Sequence, residues 1–516
     1  MVLAVLLSMA MFVLVVDTSF MNVSISAVVK DLDTTVSKVQ SAIALEALVS
    51  AAFILIGGKL GDLMGRKRAY VLGLLGYAVG AIAMTLAHSV NTIIVFWAII
   101  GGLGASLLLP AMQSLIHGNF EGEMQRRVYA LVGASAAIAA AVGPLLGGFL
   151  TTYISWRAAF LLEAVVIGVV LAGIGLVKDV KFTGDRKIDP IGAVLSVVAM
   201  GGIVLGVLVW QEGGEAVGAL IALGALAMAG LVLWLRHAKK TSKPILIDPV
   251  LFASPHFRLG ITQQMFQQIA LGGVMIVLPI YLQMVHEYNA MQAGLALAPL
   301  SLSMFGVALF AGRKLGGVRP AKLVRYGFLL LLIGVGLIIP LVPRADDGWA
   351  LAVPLAIAGC GMGLLVSQLN NYTLAPVSEE RVSEAAGVNS AAGSFGLSFG
   401  LAVVGAVMLA TLAGAFNSMA SDSAVLTPSE QQEVSAALEH DAEVMTNTQL
   451  TEQLAGRPEE VQTEIVSINT DARHLALQVA LLIPFIIALA GVLNAFRMGR
   501  LPEIEPTADH GTLIVG

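Results

Sequence analysis

The sequence is poor in charged residues. Of its 516 residues only 12% are Asp, Glu, Lys or Arg, while 57% are hydrophobic. A soluble domain carries roughly 25% charged residues, so this chain lacks the charge that covers a water-exposed surface. Its apolar residues come in blocks of about 20 or more, long enough to cross a ~30 Å hydrocarbon layer as helices. The blocks lack the alternation of barrel strands. We therefore predict an all-α membrane protein.

Cysteine is almost absent, and so is any nucleotide-binding motif. Cys360 is the single cysteine, which excludes an internal disulfide and a cysteine-based metal cluster. It lies between Gly359 and Gly361 and is best interpreted as a small packing residue. No Gly-x-x-x-x-Gly-Lys-Ser/Thr motif occurs, so ATP is not expected to drive the protein. We expect no metal, no cofactor and no nucleic-acid partner.

Fourteen apolar blocks predict fourteen transmembrane helices. The first begins at the start of the sequence without a basic region or a clear cleavage site, so we expect a helix and not a removable signal. The predicted spans are 5–28, 39–59, 69–88, 92–115, 127–152, 157–177, 189–210, 217–236, 258–284, 290–312, 323–342, 349–374, 385–413 and 473–496.

Basic residues are distributed unequally between the loops on the two sides of the predicted bundle. Of the 29 Lys and Arg residues, 23 fall on the side that bears the loop after the second helix. Loops rich in Lys and Arg stay in the cytoplasm. This asymmetry predicts a plasma (inner) membrane protein with both termini in the cytoplasm.

One predicted external segment, residues 415–472, is long, polar and acidic. Its Thr427-Pro428-Ser429-Glu430 stretch is typical of a helix start. The segment has too few apolar residues for a core of its own. Two readings stay open: a helical hairpin lying on the outer mouth, or a solvated loop with no special role. Its negative charge could enrich cations near the mouth.

The loop after the second helix carries a dense motif, Gly58-Lys59-Leu60-Gly61-Asp62-Leu63-Met64-Gly65-Arg66-Lys67-Arg68. Glycines allow helices and their connection to approach closely. Asp62 and the basic cluster that begins at Arg66 can form a charged latch. In form and position this motif resembles that of the major facilitator superfamily. The resemblance implies alternating access, with substrate bound near the middle of the membrane between two helix bundles.

The fifth predicted helix contains a second motif, Gly143-Pro144-Leu145-Leu146-Gly147-Gly148. Proline bends a helix, and small residues permit tight helix contacts. The stretch resembles the antiporter motif of drug-exporting members of the superfamily. The match is partial, because the family pattern has glycines where this chain has Ala130 and Ala139.

The first helix carries Val16-Asp17-Thr18-Ser19-Phe20-Met21-Asn22-Val23, similar to the fourteen-helix drug:proton antiporters, the EmrB/QacA-like group. The resemblance implies a major facilitator fold, two six-helix bundles plus two inserted helices, in a monomer. We accordingly divide the chain into residues 1–180 (first bundle), 181–245 (inserted pair and linkers), 246–500 (second bundle with the acidic segment) and 501–516 (cytoplasmic tail).

The fourth helix departs from the family pattern. Family members usually have Arg-x-x-Gln-Gly, whereas this chain has Trp97-Ala98-Ile99-Ile100-Gly101. The resemblance gives that Arg a part in proton coupling, so its replacement puts standard coupling in doubt. It also leaves Trp97 as a candidate to contact an apolar or flat substrate.

Three acids fall within predicted membrane spans: Asp17, Glu46 and Glu163. An ionised carboxylate in lipid costs several kcal/mol, so such acids are functional candidates. Desolvation favours their protonated form, and a carboxyl group that exchanges its proton can couple proton flow to transport or hold a cationic substrate. The rival reading is a carboxyl bonded to a neighbouring helix for Glu46 and structural packing for Glu163. The second half offers only amides as cavity candidates, namely Gln264, Gln267, Asn371 and Asn389.

Three functions remain open. The first is proton-driven export of lipophilic, often cationic, small molecules, including drugs. The second is export of a lipid or lipid conjugate on the same fold, with non-standard proton coupling. The third, a membrane enzyme or receptor, is disfavoured because no nucleophile, base or metal ligands converge in the sequence. We therefore predict a transporter and not an enzyme, with substrates and membrane lipids as its partners.

Overall fold

The computed structural model describes residues 2–179, 188–315, 318–429, 431 and 447–502, apart from the side chains of residues 126, 130, 313, 379, 380 and 383. Fourteen helices in this part of the chain are long and apolar enough to span a membrane, as predicted. They are α1 (Val2–Leu32), α2 (Val36–Met64), α3 (Arg66–Thr85), α4 (Val90–Asn119), α5 (Gly122–Tyr153), α6 (Trp156–Leu176), α7 (Pro190–Gln211), α8 (Val217–Lys240), α9 (Pro255–Val285), α10 (Ala290–Lys314), α11 (Pro320–Leu341), α12 (Gly348–Leu374), α13 (Glu379–Asp422) and α14 (Glu459–Gly499).

Short polar residues start many of these helices. The Thr35 hydroxyl accepts a hydrogen bond from the Lys38 backbone at the start of α2. Asn289 and Gln292 form a reciprocal capping box at the start of α10. These side chains bind backbone N–H groups that the first helical turn leaves without partners. The turns between helices can therefore stay short.

The helices form two bundles. In the first, α1 packs on α5 and α6, and α4 packs on α2 and α3. In the second, α9 packs on α13 and α14, and α12 packs on α10 and α11. The two bundles meet along α2 against α13 and along α5 against α10. This arrangement agrees with the two bundles expected from the sequence.

We call the end of the molecule that bears the 58–68 loop the basic end, and the end that bears the described residues 415–429 and 447–472 the acidic end. Direct hydrogen bonds join the two bundles near the acidic end. Gln283 of α9 donates to the Val23 carbonyl of α1 over 3.2 Å. The Met291 backbone of α10 donates to Thr152 of α5 over 2.9 Å. The bundles are therefore held together at the acidic end in this conformation.

The inserted helices α7 and α8 pack on each other, and α7 also contacts α2 and α13, so it lies at the seam between the bundles. Gln211 of α7 donates to Gln40 of α2 over 2.7 Å. At the other end of α7, buried Asp189 accepts from the Gly192 backbone, the Trp234 indole and the Leu246 backbone. Asp189 thereby ties α7, α8 and the following linker together.

The acidic segment begins and ends as helix. The predicted limits at 415 and 472 fall inside α13 and α14, which extend beyond the predicted spans to Asp422 and from Glu459. Val461, Ile465 and Ile468 are buried, which explains why the helix continues there. A short helix, Asn447–Gln453, docks on the loop after α9 through Thr448, which donates to Glu287. Residues 430, 432–446 and most of the predicted tail, 503–516, lie outside the described residues.

Candidate functional site

Asp17 lies at the middle of α1 and is fully buried. The Tyr77 hydroxyl of α3 donates to its Oδ2 atom over 2.5 Å. The Trp97 indole Nε1 of α4 lies 2.9 Å from Oδ1 and 3.0 Å from Oδ2, so it donates to both oxygens. Two neutral donors from two other helices therefore fix the carboxyl group at the centre of the first bundle.

Trp97 stands where the family pattern has Arg, and it belongs to a π-helical segment, Ile93–Gly101. Such wide turns are frequent at functional sites. The indole ring packs edge-on against Phe160 of α6, at 6.3 Å between ring centres. Only 2% of Trp97 is exposed. Its indole thus binds Asp17 and lines no open surface in this conformation, and a contact between Trp97 and substrate stays a prediction.

Glu46 of α2 and Glu163 of α6 belong to the same cluster. The Glu163 carboxyl group lies within interaction distance of Asp17, and both interact electrostatically with Glu46. Glu46 is 8% exposed and Glu163 is 2% exposed. Gly102 of α4 lets that helix approach the Glu46 backbone, since a Cβ atom there would lie 2.9 Å from the Glu46 carbonyl oxygen. The three acids predicted separately are therefore brought together by packing.

The cluster has no basic partner among the described residues. The interactions of its three carboxyl groups include each other and Tyr77, but no Lys or Arg. Arg157, at the start of α6, instead pairs with Asp31 at 2.6 Å near the acidic end. Like-charged carboxylates without a cation are costly at this depth. The cluster can therefore exist only with protons or a bound cation.

The 58–68 loop packs tightly at the basic end. Arg66 forms an ion pair with Asp62 and donates to the Gly58 carbonyl over 3.4 Å. Gly65 has a φ of +101°, and a Cβ atom there would lie 2.9 Å from the Asp179 carboxylate. That carboxylate also accepts from the Lys67 backbone. Gly61, at the end of α2, lies close to Ala69 and Arg66 at the start of α3. The latch thus joins the α2–α3 turn to the segment after α6.

The motif of α5 lies where three helices meet. Gly143 and Gly147 face α1, at Ser19 and at Phe20 and Val23 respectively. On the other side, Pro144 contacts Gly294 of α10, and a Cβ atom on Gly148 would lie 2.5 Å from the Ala290 carbonyl oxygen. The small residues thus bring α5 against α1 within the first bundle and against α10 of the second. Of the two departures from the family pattern, Ala139 is fully buried, and the side chain of residue 130 is outside the described part.

The amides predicted as cavity residues lie apart from the acids. Gln264 lies close to Gly393 of α13, and Gln267 is buried within α9. Asn389 donates to Asn370 over 3.2 Å, which links α13 to α12. Asn371, the next residue on α12, is half-buried. These residues belong to the second bundle, and the structure does not bring them to the carboxyl cluster.

A cavity of about 300 Å³ lies between α1, α5 and α6 and is almost entirely apolar. Phe12 lines it and precedes Asp17 by five residues, about 7 Å along the helix axis. The cavity therefore lies on the basic-end side of Asp17, and no residue of the carboxyl cluster lines it. Its lining residues are Val5, Ser8, Met9, Phe12, Leu131, Ser135 and Val166.

Tyr77 is the one member of the cluster that the sequence did not single out. It lies on α3, a helix whose glycines at 73, 76 and 80 all approach α4 closely. The available signal is weak, because Tyr77 is one of two buried tyrosines on this glycine-rich helix, the other being Tyr70. Its hydrogen bond to Asp17 could be identified only from the structure.

The chain forms two bundles of six spanning helices and an inserted helix pair, and the first bundle encloses the buried acids. This is the fold of a multi-pass membrane transporter. The chain belongs to the Major Facilitator Superfamily, whose family model matches residues 7–401. It is similar to the "Probable actinorhodin transporter" of Streptomyces coelicolor, with 26% identity over 79% of this chain and 72% of that protein.

A second relative, the "Multidrug export protein EmrB" of Escherichia coli, is 25% identical over 77% of this chain and 78% of that protein. These relatives confirm the resemblance to the drug:proton antiporter branch. Among solved structures, a bacterial homologue of the human lysosomal transporter Spinster, inward-facing and unoccupied, has the same fold, with a TM-score of 0.61. The two chains are 14% identical, and the match covers 97% of this chain and 98% of the other.

Proposed function

We propose that this protein exports lipophilic and amphiphilic, often cationic, small molecules, driven by proton influx. Relatives named for actinorhodin transport and for multidrug export support the substrate class. The observation that carries the proton coupling is Asp17, an acid sealed in the first bundle between two neutral donors and two further acids.

The proposed cycle alternates access between the two ends of the molecule. At the acidic end, where the bundles are joined, protons would reach the carboxyl cluster after those contacts open. At the basic end the cluster would release protons and the cavity would admit substrate. Because a proton and a cationic substrate both neutralise the cluster, binding one disfavours the other. That competition is the requirement for antiport.

We further propose a monomer in the inner (plasma) membrane, with the basic end and both termini in the cytoplasm. The unequal distribution of Lys and Arg supports this orientation. Export from the cytoplasm then corresponds to movement from the basic end to the acidic end. No resident cofactor is required, because the proton gradient supplies the energy.

The test is a proteoliposome assay with an imposed pH gradient and a panel of cationic dyes and lipids. We expect dye transport that the gradient accelerates and that Asp17→Asn abolishes. The matched control is Asp31→Asn, an acid of the same helix at the acidic end. Gradient-driven transport at the normal rate by Asp17→Asn would refute the carboxylate mechanism. Transport of lipids but no dye would favour the lipid-export alternative.

A further inference from the structure

The carboxyl groups of Asp17 and Glu163 interact with each other but differ in the hydrogen-bond donors around them. Tyr77 and Trp97 both donate to Asp17, and the Trp97 N–H reaches both carboxylate oxygens. An indole N–H can only donate a hydrogen bond. Both Asp17 oxygens therefore act as acceptors, which is the pattern that suits an ionised carboxylate.

Glu163 has no such donors. Both of its oxygens are buried and lack a hydrogen-bond partner among the described residues. The titratable groups that interact with it are Asp17 of α1, Glu46 of α2 and Tyr77 of α3, while α4 contributes the non-titrating Trp97 to the cluster. An ionised Glu163 would thus be a buried charge without a donor, which is among the costliest arrangements in a membrane protein.

We propose that, within the Asp17–Glu163 pair, Glu163 holds the proton and donates its O–H to an ionised Asp17. Glu163 is then the third neutral donor to Asp17, after Tyr77 and Trp97. One of these donors, Trp97, stands where the family pattern has an arginine. The inference deepens the proposed function, on which it rests, by assigning the exchanged proton to α6 and not to α1.

The chemistry of release follows from this assignment. When the cluster is wetted, the Glu163 O–H bond breaks and its proton passes to water, leaving Asp17 and Glu163 as neighbouring carboxylates that interact with no Lys or Arg among the described residues. Coulomb repulsion at this spacing is large in a medium of low dielectric constant. The pair must then take up a proton again or bind a cationic substrate, so the two ligands compete for one pair of carboxyl groups.

Infrared spectroscopy of the protein in lipid at neutral pH tests the assignment. A protonated carboxyl group has a C=O stretch that carboxylates lack and that shifts in D₂O. We expect wild-type protein to show a band that Glu163→Gln removes and that Asp17→Asn retains at a shifted frequency. Glu46→Gln is the matched control, since a band it removes belongs to Glu46. Loss of the band in Asp17→Asn with retention in Glu163→Gln would overturn the proposal, as would no protonated-carboxyl band in wild type.

A second measurement separates this inference from the proposed function. Tetraphenylphosphonium binding to purified wild-type protein in weakly buffered detergent should release protons, and Glu163→Gln should bind the cation without proton release. Thermal unfolding of Glu163→Gln should match wild type, because the amide still donates to Asp17. If wild type shows the Glu163 band but no gradient-driven transport, the proposed function fails while the proton assignment stands. Equal proton release by wild type and Glu163→Gln would refute the assignment.

Discussion

Gly148 of α5 and Ala290 of α10 are in backbone contact across the boundary between the two bundles. A Cβ atom on Gly148 would lie 2.5 Å from the Ala290 carbonyl oxygen and 3.0 Å from the Met291 Cα atom. Both neighbours are backbone atoms, which cannot rotate away as a side chain can. The same region carries the hydrogen bond from the Met291 backbone to Thr152. Closure at the acidic end therefore depends on a glycine at position 148.

We predict that Gly148→Ala prevents full closure at the acidic end. The added methyl group must separate α5 from α10, at a cost of about 1–3 kcal/mol, typical of overpacking. Transport should fall strongly while the protein still inserts and folds. Spin labels on α5 and α10 near the acidic end should report a longer mean distance in the variant.

The matched control is Gly133→Ala on the same helix, where a Cβ atom would meet nothing within 4 Å. This variant should transport normally and leave the distance unchanged. An unchanged distance in Gly148→Ala would contradict the assigned role of the contact.

We predict that Trp97→Phe impairs proton coupling more than substrate binding. Phenylalanine keeps the apolar contact with Phe160 but removes the N–H group that donates to both Asp17 oxygens. Losing a donor to a buried charged acceptor costs about 1–3 kcal/mol. The pH profile of dye efflux should therefore shift, while dye affinity in the absence of a gradient changes little. A loss of affinity with an unchanged pH profile would instead support the earlier reading of Trp97 as a substrate contact.

Local sequence patterns could predict the helices, but they could not predict which residues meet. The apolar runs around Asp17, Glu46 and Glu163 predicted three membrane helices with one acid each, since that inference needs only residues near in sequence. The convergence of these acids depends on how α1, α2 and α6 pack. Glycines in the sequence indicate that helices can pack closely, but they do not indicate which helix packs against which.

Trp97 and the acidic segment illustrate what the sequence could not predict. The hydrogen bond from the Trp97 N–H to Asp17 joins residues 80 positions apart, so nothing in the sequence indicates it. The sequence predicts the end of α13 too early and the start of α14 too late, because the polar extensions of both helices fall below the hydropathy expected of a membrane span. At the start of α14, Val461, Ile465 and Ile468 are buried against the rest of the second bundle, and this burial stabilises the helical extension.

We predict that the effects of replacing Gln40 and Gln211 on thermal stability are not additive, because the two side chains are hydrogen-bonded to each other. The two buried amides share a 2.7 Å hydrogen bond between α2 and α7. Gln211→Leu alone leaves the Gln40 oxygen without this donor and should lower thermal stability. The double variant Gln40→Leu/Gln211→Leu should recover part of the loss, because no unmatched amide remains.

A cycle of the four proteins, unfolded by heat in the same detergent, measures the coupling free energy. In membrane proteins such interhelical bonds average about 0.6 kcal/mol and reach about 1.7 kcal/mol. Additive effects of the two substitutions would show that the bond does not anchor the inserted pair.

The last prediction concerns acid sensitivity of the linker between α8 and α9 at the basic end. Asp248 accepts from Lys239 over 2.5 Å and lies 3.5 Å from Arg381 at the start of α13, and its backbone donates to Glu384. Partial burial alone would raise the pKa of Asp248, but the hydrogen bonds from Lys239 and the Val250 backbone, with the two positive charges, hold the pKa below its ordinary value.

Because the folded-state pKa is lowered, the stabilisation is present above the ordinary pKa and is lost as the pH falls through the folded value. The affected window therefore lies below about pH 4, where Asp ordinarily titrates. The protection of residues 241–254 against hydrogen exchange, corrected for the intrinsic rate at each pH, should fall in that window in wild-type protein. In Asp248→Asn the same residues should have low protection at every pH, because the variant cannot form the ion pairs. A linker with the same acid response in both proteins would show that another group controls it.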